Sequence, residues 1–124
     1  MERTTRQRLA IRRALERLAR PLSPQELLDE ARREVQGIGL ATVYRTVRAL
    51  VDEGVVVSVA LPGEPPRYER AGAAHHHHFR CRACDRVFEV DGCPRGIAGL
   101  VPAGFELERH DLTLYGRCDR CRAA

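Results

Sequence analysis

The sequence predicts an α+β protein with an N-terminal winged helix-turn-helix domain over residues 1–71 and a small C-terminal α/β domain over residues 75–124. A hinge at 72–74 joins them. Three observations lead there. Apolar residues recur at helical spacing up to residue 53 and then give way to a short hairpin pattern. Gly72-Ala73-Ala74 marks a sharp change of composition. All 5 Cys and all 5 His lie beyond it, more than packing asks of so short a chain.

The first helix is expected over residues 3–19, where Leu9, Ile11, Ala14, Leu15 and Leu18 share a face and Arg6, Arg8, Arg12, Arg13 and Arg17 lie largely on others. Pro21 ends it. Ser23-Pro24-Gln25-Glu26 then supplies an N-cap serine, a proline at the first helical position and a glutamate three residues after the cap. The second helix therefore starts at Pro24, buries Leu27, Leu28 and Ala31, and runs to about Val35 before Gly37 and Gly39. A third, over Ala41 to Glu53, aligns Val43, Val47 and Leu50 on one stripe and sets Arg45 and Arg48 opposite, with Tyr44 and Arg45 in its first turn. Gly54 closes it. Val55 to Val59 and Arg67 to Glu69 read as two strands joined by the turn-rich Pro62 to Pro66. Three helices and a hairpin suit DNA binding, and a plain three-helix domain with a packing hairpin is the alternative. Beyond the hinge, 75–81 and 86–90 read as strands, 94–101 as a short helix, and 105–115 as a further strand or strand pair.

Composition narrows the class. The 124 residues allow at most one ordinary domain or two very small ones, and 44% hydrophobic with 31% charged residues is globular rather than disordered. Net charge is +4, and all 21 basic residues are Arg, which tolerates an anionic partner. No stretch has the length and apolarity of a membrane helix or a signal core, so a cytoplasmic protein without a membrane is expected. In that reducing compartment, paired cysteines favour zinc over disulfides.

Cys81-Arg82-Ala83-Cys84 and Cys118-Asp119-Arg120-Cys121 are two Cys-x-x-Cys knuckles about thirty residues apart, and together they complete a thiolate cage suited to structural Zn2+. A redox pair or unbound structural cysteines are the alternatives. In His75-His76-His77-His78, strand alternation turns His75 and His77 to one face and His76 and His78 to the other, so the run can serve two metal sites; a polar surface strand is the other reading.

Gly39-Leu40-Ala41-Thr42-Val43-Tyr44-Arg45, Tyr68-Glu69, the histidine run, both knuckles and His110-Asp111-Leu112-Thr113-Leu114-Tyr115-Gly116 together resemble the ferric uptake regulator family of metal-dependent repressors, in particular its zinc uptake branch. The resemblance covers nearly the whole chain. It implies a homodimer, joined through the C-terminal α/β dimerisation domain, that binds palindromic double-stranded DNA operators when a regulatory metal is present. It places Tyr44 and Arg45, with Thr42 in the same segment, at the DNA. Arginine can fork onto guanine, while Arg48 and the first helix's arginines suit phosphates.

The resemblance maps one regulatory metal site onto Glu69, His76, His78 and Glu89. A further family histidine would fall at Pro21 or Leu22 and is missing. A second site maps onto His75, His77 and His110. The acid expected in the helix after Glu89 is absent, and Cys93, at that helix's expected start, replaces it as a thiolate favoured by the helix dipole. Imidazole with soft thiolate selects Zn2+ over Fe2+ or Mn2+. The function implied is zinc-responsive repression, with an iron, manganese or peroxide sensor of the same family as the alternative. A zinc-stapled interaction module and a metalloenzyme around His75, His77 and His110 are the readings from other classes. The enzyme lacks a spare general base, since Glu89 and Asp111 already have other roles, and no small-molecule substrate is expected.

Overall fold

The computed structural model describes residues 2–72 and 74–123, so Ala73 of the expected hinge lies outside the described residues. The chain divides into two units, Met1–Ala73 and Ala74–Ala124. In element order it reads α1 (Arg3–Leu18), α2 (Pro24–Ala31), α3 (Leu40–Asp52), β1 (Val56–Val59), β2 (Arg67–Arg70), β3 (His76–Cys81), β4 (Val87–Asp91), a 3-10 turn (Ile97–Leu100), β5 (Thr113–Gly116) and α4 (Asp119–Ala123).

The first unit is a winged helix-turn-helix. Ile11, Ala14 and Leu15 of α1, Leu27, Leu28 and Ala31 of α2, and Val43, Val47 and Leu50 of α3 meet in one buried cluster. The α2 start is a full capping box: Ser23 Oγ accepts from Glu26 N and Glu26 Oε1 accepts from Ser23 N, both at 3.1 Å. Glu26 also reaches the wing. Its carboxylate lies 3.2 Å from Arg67 Nη1 on β2 and 2.8 Å from Arg20 Nη2, and Arg67 Nε donates to Glu64 Oε1 at 2.9 Å. One carboxylate thus caps a helix and holds the hairpin against it. β1 and β2 pair antiparallel, and Leu22 bonds β2 from its other edge through Leu22 N to Tyr68 O (2.8 Å) and Tyr68 N to Leu22 O (2.9 Å).

In the second unit β3 is central, antiparallel to β4 and parallel to β5. Where a Cβ would stand on Gly116, the tip of the Phe79 ring lies 3.1 Å away, so a larger residue there would need that ring to shift by a few tenths of an ångström.

Several expectations need correction. Helix α2 stops at Ala31, because Arg33 and Glu34 bond tightly back to Glu30 and Ala31 three residues earlier. The helix expected over 94–101 is a single 3-10 turn, since Pro94, Gly96 at φ 84°, Gly99 and Pro102 break the run. Of the expected 105–115 strand only residues 113–115 fall in the strand that pairs with β3, which runs on to Gly116. Helix α4 has no counterpart among the expected elements; its turn places Cys118 and Cys121 together, with Arg122 N donating to Cys118 O at 2.9 Å. Tyr44 and Arg45 are the fifth and sixth residues of α3, hence in its second turn.

Candidate metal centres and nucleic-acid interface

In the second unit Sγ atoms of Cys81, Cys84, Cys118 and Cys121 all lie within 4.8 Å of one another, with Cys84 and Cys118 at 3.9 Å. A tetrahedron of Zn–S bonds near 2.3 Å has sulfurs about 3.8 Å apart, so this donor set fits Zn2+. The knuckle turn is closed by Asp85 at φ 63°, a conformation Asp tolerates. Amides of Cys118 (3.3 Å) and Cys84 (3.4 Å) donate to Cys81 Sγ and hold its thiol down to about 6. Hydrogen bonding with the Cys81 and Cys118 thiols pushes Cys121 up to about 12. A thiol already ionised among its partners suits a metal cage.

The alternation of the histidine run is realised. Rings of His75 and His77 meet edge to face at 4.5 Å, and those of His76 and His78 at 4.9 Å. On the first of these faces, Nε2 of His75 lies 3.2 Å from Nε2 of His110, and Cys93 Sγ lies 2.8 Å from His110 Nε2 and 3.4 Å from His77 Nε2. Three imidazole nitrogens and one sulfur therefore point at one centre. The 3.2 and 3.4 Å spacings are near the roughly 3.3–3.6 Å edges of a tetrahedral zinc site with three nitrogen donors and one sulfur, whereas the 2.8 Å Cys93–His110 contact is shorter and has to widen to hold an ion. His77 is buried, and the Leu112 amide donates to its Nδ1 at 3.1 Å, so in the neutral ring Nε2 carries the proton and faces Cys93 as a donor. Ligation through Nε2 requires that proton to leave or to move to Nδ1 with loss of the Leu112 bond. Burial, reinforced by His75 and His110, pushes the His77 pKa below the usual 6.5 and keeps the ring neutral, as a ligand must be. No helix begins at Cys93, so the expected dipole support for its thiolate is absent.

On the other face His76 Nε2 lies 3.9 Å from Glu89 Oε1, and His78 stands opposite Glu89 in the β3–β4 register. Glu69 is buried on β2 of the first unit. Leu22, where the family's further ligand would fall, is fully buried in the first unit's core.

On α3, Tyr44 is 52% exposed, and Arg45 and Arg48 stand out from the buried stripe. Thr42 Oγ1 accepts from Arg45 Nη2 at 3.1 Å and holds the guanidinium along the helix. Tyr44, Arg45 and Arg48, with Ser58 and Tyr68 of the wing, line a groove of about 500 Å3. On the first helix Arg8 pairs with Glu53, Arg13 with Glu34 (3.1 Å) and Arg17 with Glu30 (3.0 Å), all through exposed guanidinium groups. Among the described residues no helix is long and apolar enough to cross a membrane.

A family profile described as "Ferric uptake regulator family" matches residues 2–115. The chain belongs to the ferric uptake regulator family. It is therefore a metal-responsive transcription regulator and not an enzyme, from a family of dimeric DNA-binding proteins. Among relatives in the family it is 40% identical to the zinc uptake regulation protein of Mycobacterium tuberculosis, over 98% of this chain and 95% of that protein. Among solved structures, a zinc-bound manganese uptake regulator is 30% identical, with a TM-score of 0.75 over 90% of this chain and 87% of that one. FurB from M. tuberculosis, a zinc uptake regulator, is 37% identical, with a TM-score of 0.53 over 97% and 95% of the two chains.

Proposed function

We propose that this regulator is a zinc-responsive repressor that binds a palindromic operator as a metal-loaded homodimer. The observation that carries the zinc reading is the Cys93 sulfur among the Nε2 atoms of His75, His77 and His110. A thiolate in an imidazole site favours Zn2+ over Fe2+ and Mn2+. The 40% identity to a protein named for zinc uptake regulation supports it.

In this reading Cys81, Cys84, Cys118 and Cys121 hold a structural zinc, and the regulatory ions belong to two further sets. His75, His77, Cys93 and His110 form one; His76, His78 and Glu89 form the other. The metal supplies positive charge and fixed coordination directions when bound. To move the operator-competent fraction from about 1% to 99%, differential binding of roughly 5.5 kcal/mol is needed. Arg45 reads a base edge, Tyr44 touches a thymine methyl or phosphate, and Thr42 and Arg48 support and anchor them.

Elemental analysis of protein purified without added metal, before and after equilibration with buffered Zn2+, tests this reading. More zinc per chain than the four-cysteine site alone can take is expected. A single zinc per chain at saturation, with Fe2+ filling the remaining capacity, would overturn it.

A further inference from the structure

Four of the cysteines share one centre, and Cys93 stands in another. It is exposed, follows β4, and lies between Gly92 and Gly96, both at positive φ. The two centres differ chemically. Cys81 takes two amide N–H bonds, which draw electron density from its sulfur, whereas among the described hydrogen bonds Cys93 Sγ meets only imidazoles. Its sulfur is the one soft, oxidisable donor of its cluster, and solvent reaches it.

We propose that Cys93 is a modification site for two-electron oxidants, of which hydrogen peroxide is the simplest. The thiolate attacks one peroxide oxygen, an S–O bond forms as the O–O bond breaks, and Cys93 becomes a sulfenic acid while hydroxide leaves. Sulfur gives up two electrons and peroxide takes them; zinc keeps its oxidation state. The oxidised sulfur is a poor donor, and Cys93 lets go of the ion, leaving three imidazoles to hold it.

The place of Cys93 in the chain makes this loss consequential. Cys93 and His110, 17 residues apart, bracket a stretch in which none of residues 94–109 is buried. Its backbone bonds are local: Gly99 N to Gly96 O, Val101 N to Ala98 O and Phe105 N to Pro102 O. Ligation at both ends closes this loop onto β3, and oxidation of Cys93 opens one end. The stretch carries the exposed Leu100, Phe105 and Leu107, so peroxide changes the order of an apolar surface as well as a metal site.

This inference rests on the Cys93 ligation proposed above. The test treats the zinc-loaded full chain, with C93S and C93D beside it, with a few equivalents of hydrogen peroxide. Zinc passing to a colorimetric chelator, the position of a dimedone adduct and hydrogen exchange over 94–109 are read. Expected are about one zinc released per wild-type chain, the adduct on Cys93, and faster exchange that dithiothreitol plus zinc reverses. Once loaded, C93D, with a carboxylate donor, should release no zinc to peroxide. Equal release from wild type and C93D, or an adduct first on Cys81, Cys84, Cys118 or Cys121, overturns the proposal. If C93S binds as much zinc as wild type before any peroxide is added, the ligation itself is wrong and the proposal falls with it.

Discussion

The Cys93 sulfur stands 2.8 Å from Nε2 of His110 although 17 positions separate the two residues, and both point at the centre also approached by His75 and His77. Side chains from strand β3, from the loop after β4 and from the loop before β5 thus converge, an arrangement that can hold a metal ion.

From that geometry, Cys93→Ser and His110→Ala should each remove about one zinc per chain and leave the four-cysteine zinc in place. Cys118→Ser should instead unfold the second unit, because it takes one sulfur from the buried four-thiol set proposed to hold the structural zinc. Elemental analysis paired with circular dichroism separates these outcomes.

On the DNA face, Arg45→Ala should weaken specific binding by about 1–3 kcal/mol and relax sequence preference. Arg48→Ala should weaken binding almost uniformly across sequences and reduce the salt slope by about one. Both side chains are exposed, so thermal midpoints should hardly move. Fluorescence anisotropy with operator and scrambled duplexes over a salt series reads all three quantities.

Glu26 serves the α2 cap, Arg20 and Arg67 together. Glu26→Ala should therefore cost the first unit about 1–2 kcal/mol, because the Ser23 amide and Arg20 lose an acceptor and buried Arg67 loses one of its two carboxylates while keeping Glu64. Urea unfolding gives the number. A loss below about 1 kcal/mol would mean the network is solvent-compensated.

Much of this is legible in the sequence because local chemistry decides it. Ser23 and Glu26 announce their helix, Val43, Val47 and Leu50 announce a buried stripe, and strand alternation sorts the four histidines. What the sequence hides depends on distant partners. Arg8, Arg13 and Arg17 pair with Glu53, Glu34 and Glu30, 13 to 45 positions away, and nothing in the local pattern of the first helix announces those partners. Residues 94–101 have apolar content without the uninterrupted backbone a helix requires. The clustering of Cys93 with His110 follows from a family expectation, since nothing in their spacing says that the loop between them closes.

His77 supplies a pH dependence whose sign is fixed. Its folded pKa lies below the unfolded 6.5, so above that pH the group adds nothing to stability. As pH falls below 6.5 the unfolded chain takes up the proton first, and the fold is penalised until the lower folded pKa is reached. In protein keeping its four-cysteine zinc but stripped at the histidine cluster, the urea midpoint should drop on going from about pH 7.5 to about pH 5.5. His77→Gln should flatten that drop; an unchanged slope would contradict the assignment.

The most direct test of zinc-responsive repression is operator binding measured against buffered free metal. The chain, carrying its structural zinc, is titrated with Zn2+ and separately with Fe2+ and Mn2+ under anaerobic conditions. Zinc-responsive repression predicts tight, specific operator binding at the lowest free Zn2+ that fills the regulatory sets, and little at matched Fe2+ or Mn2+. Binding promoted by Fe2+ or Mn2+ while buffered Zn2+ leaves the operator free would contradict it.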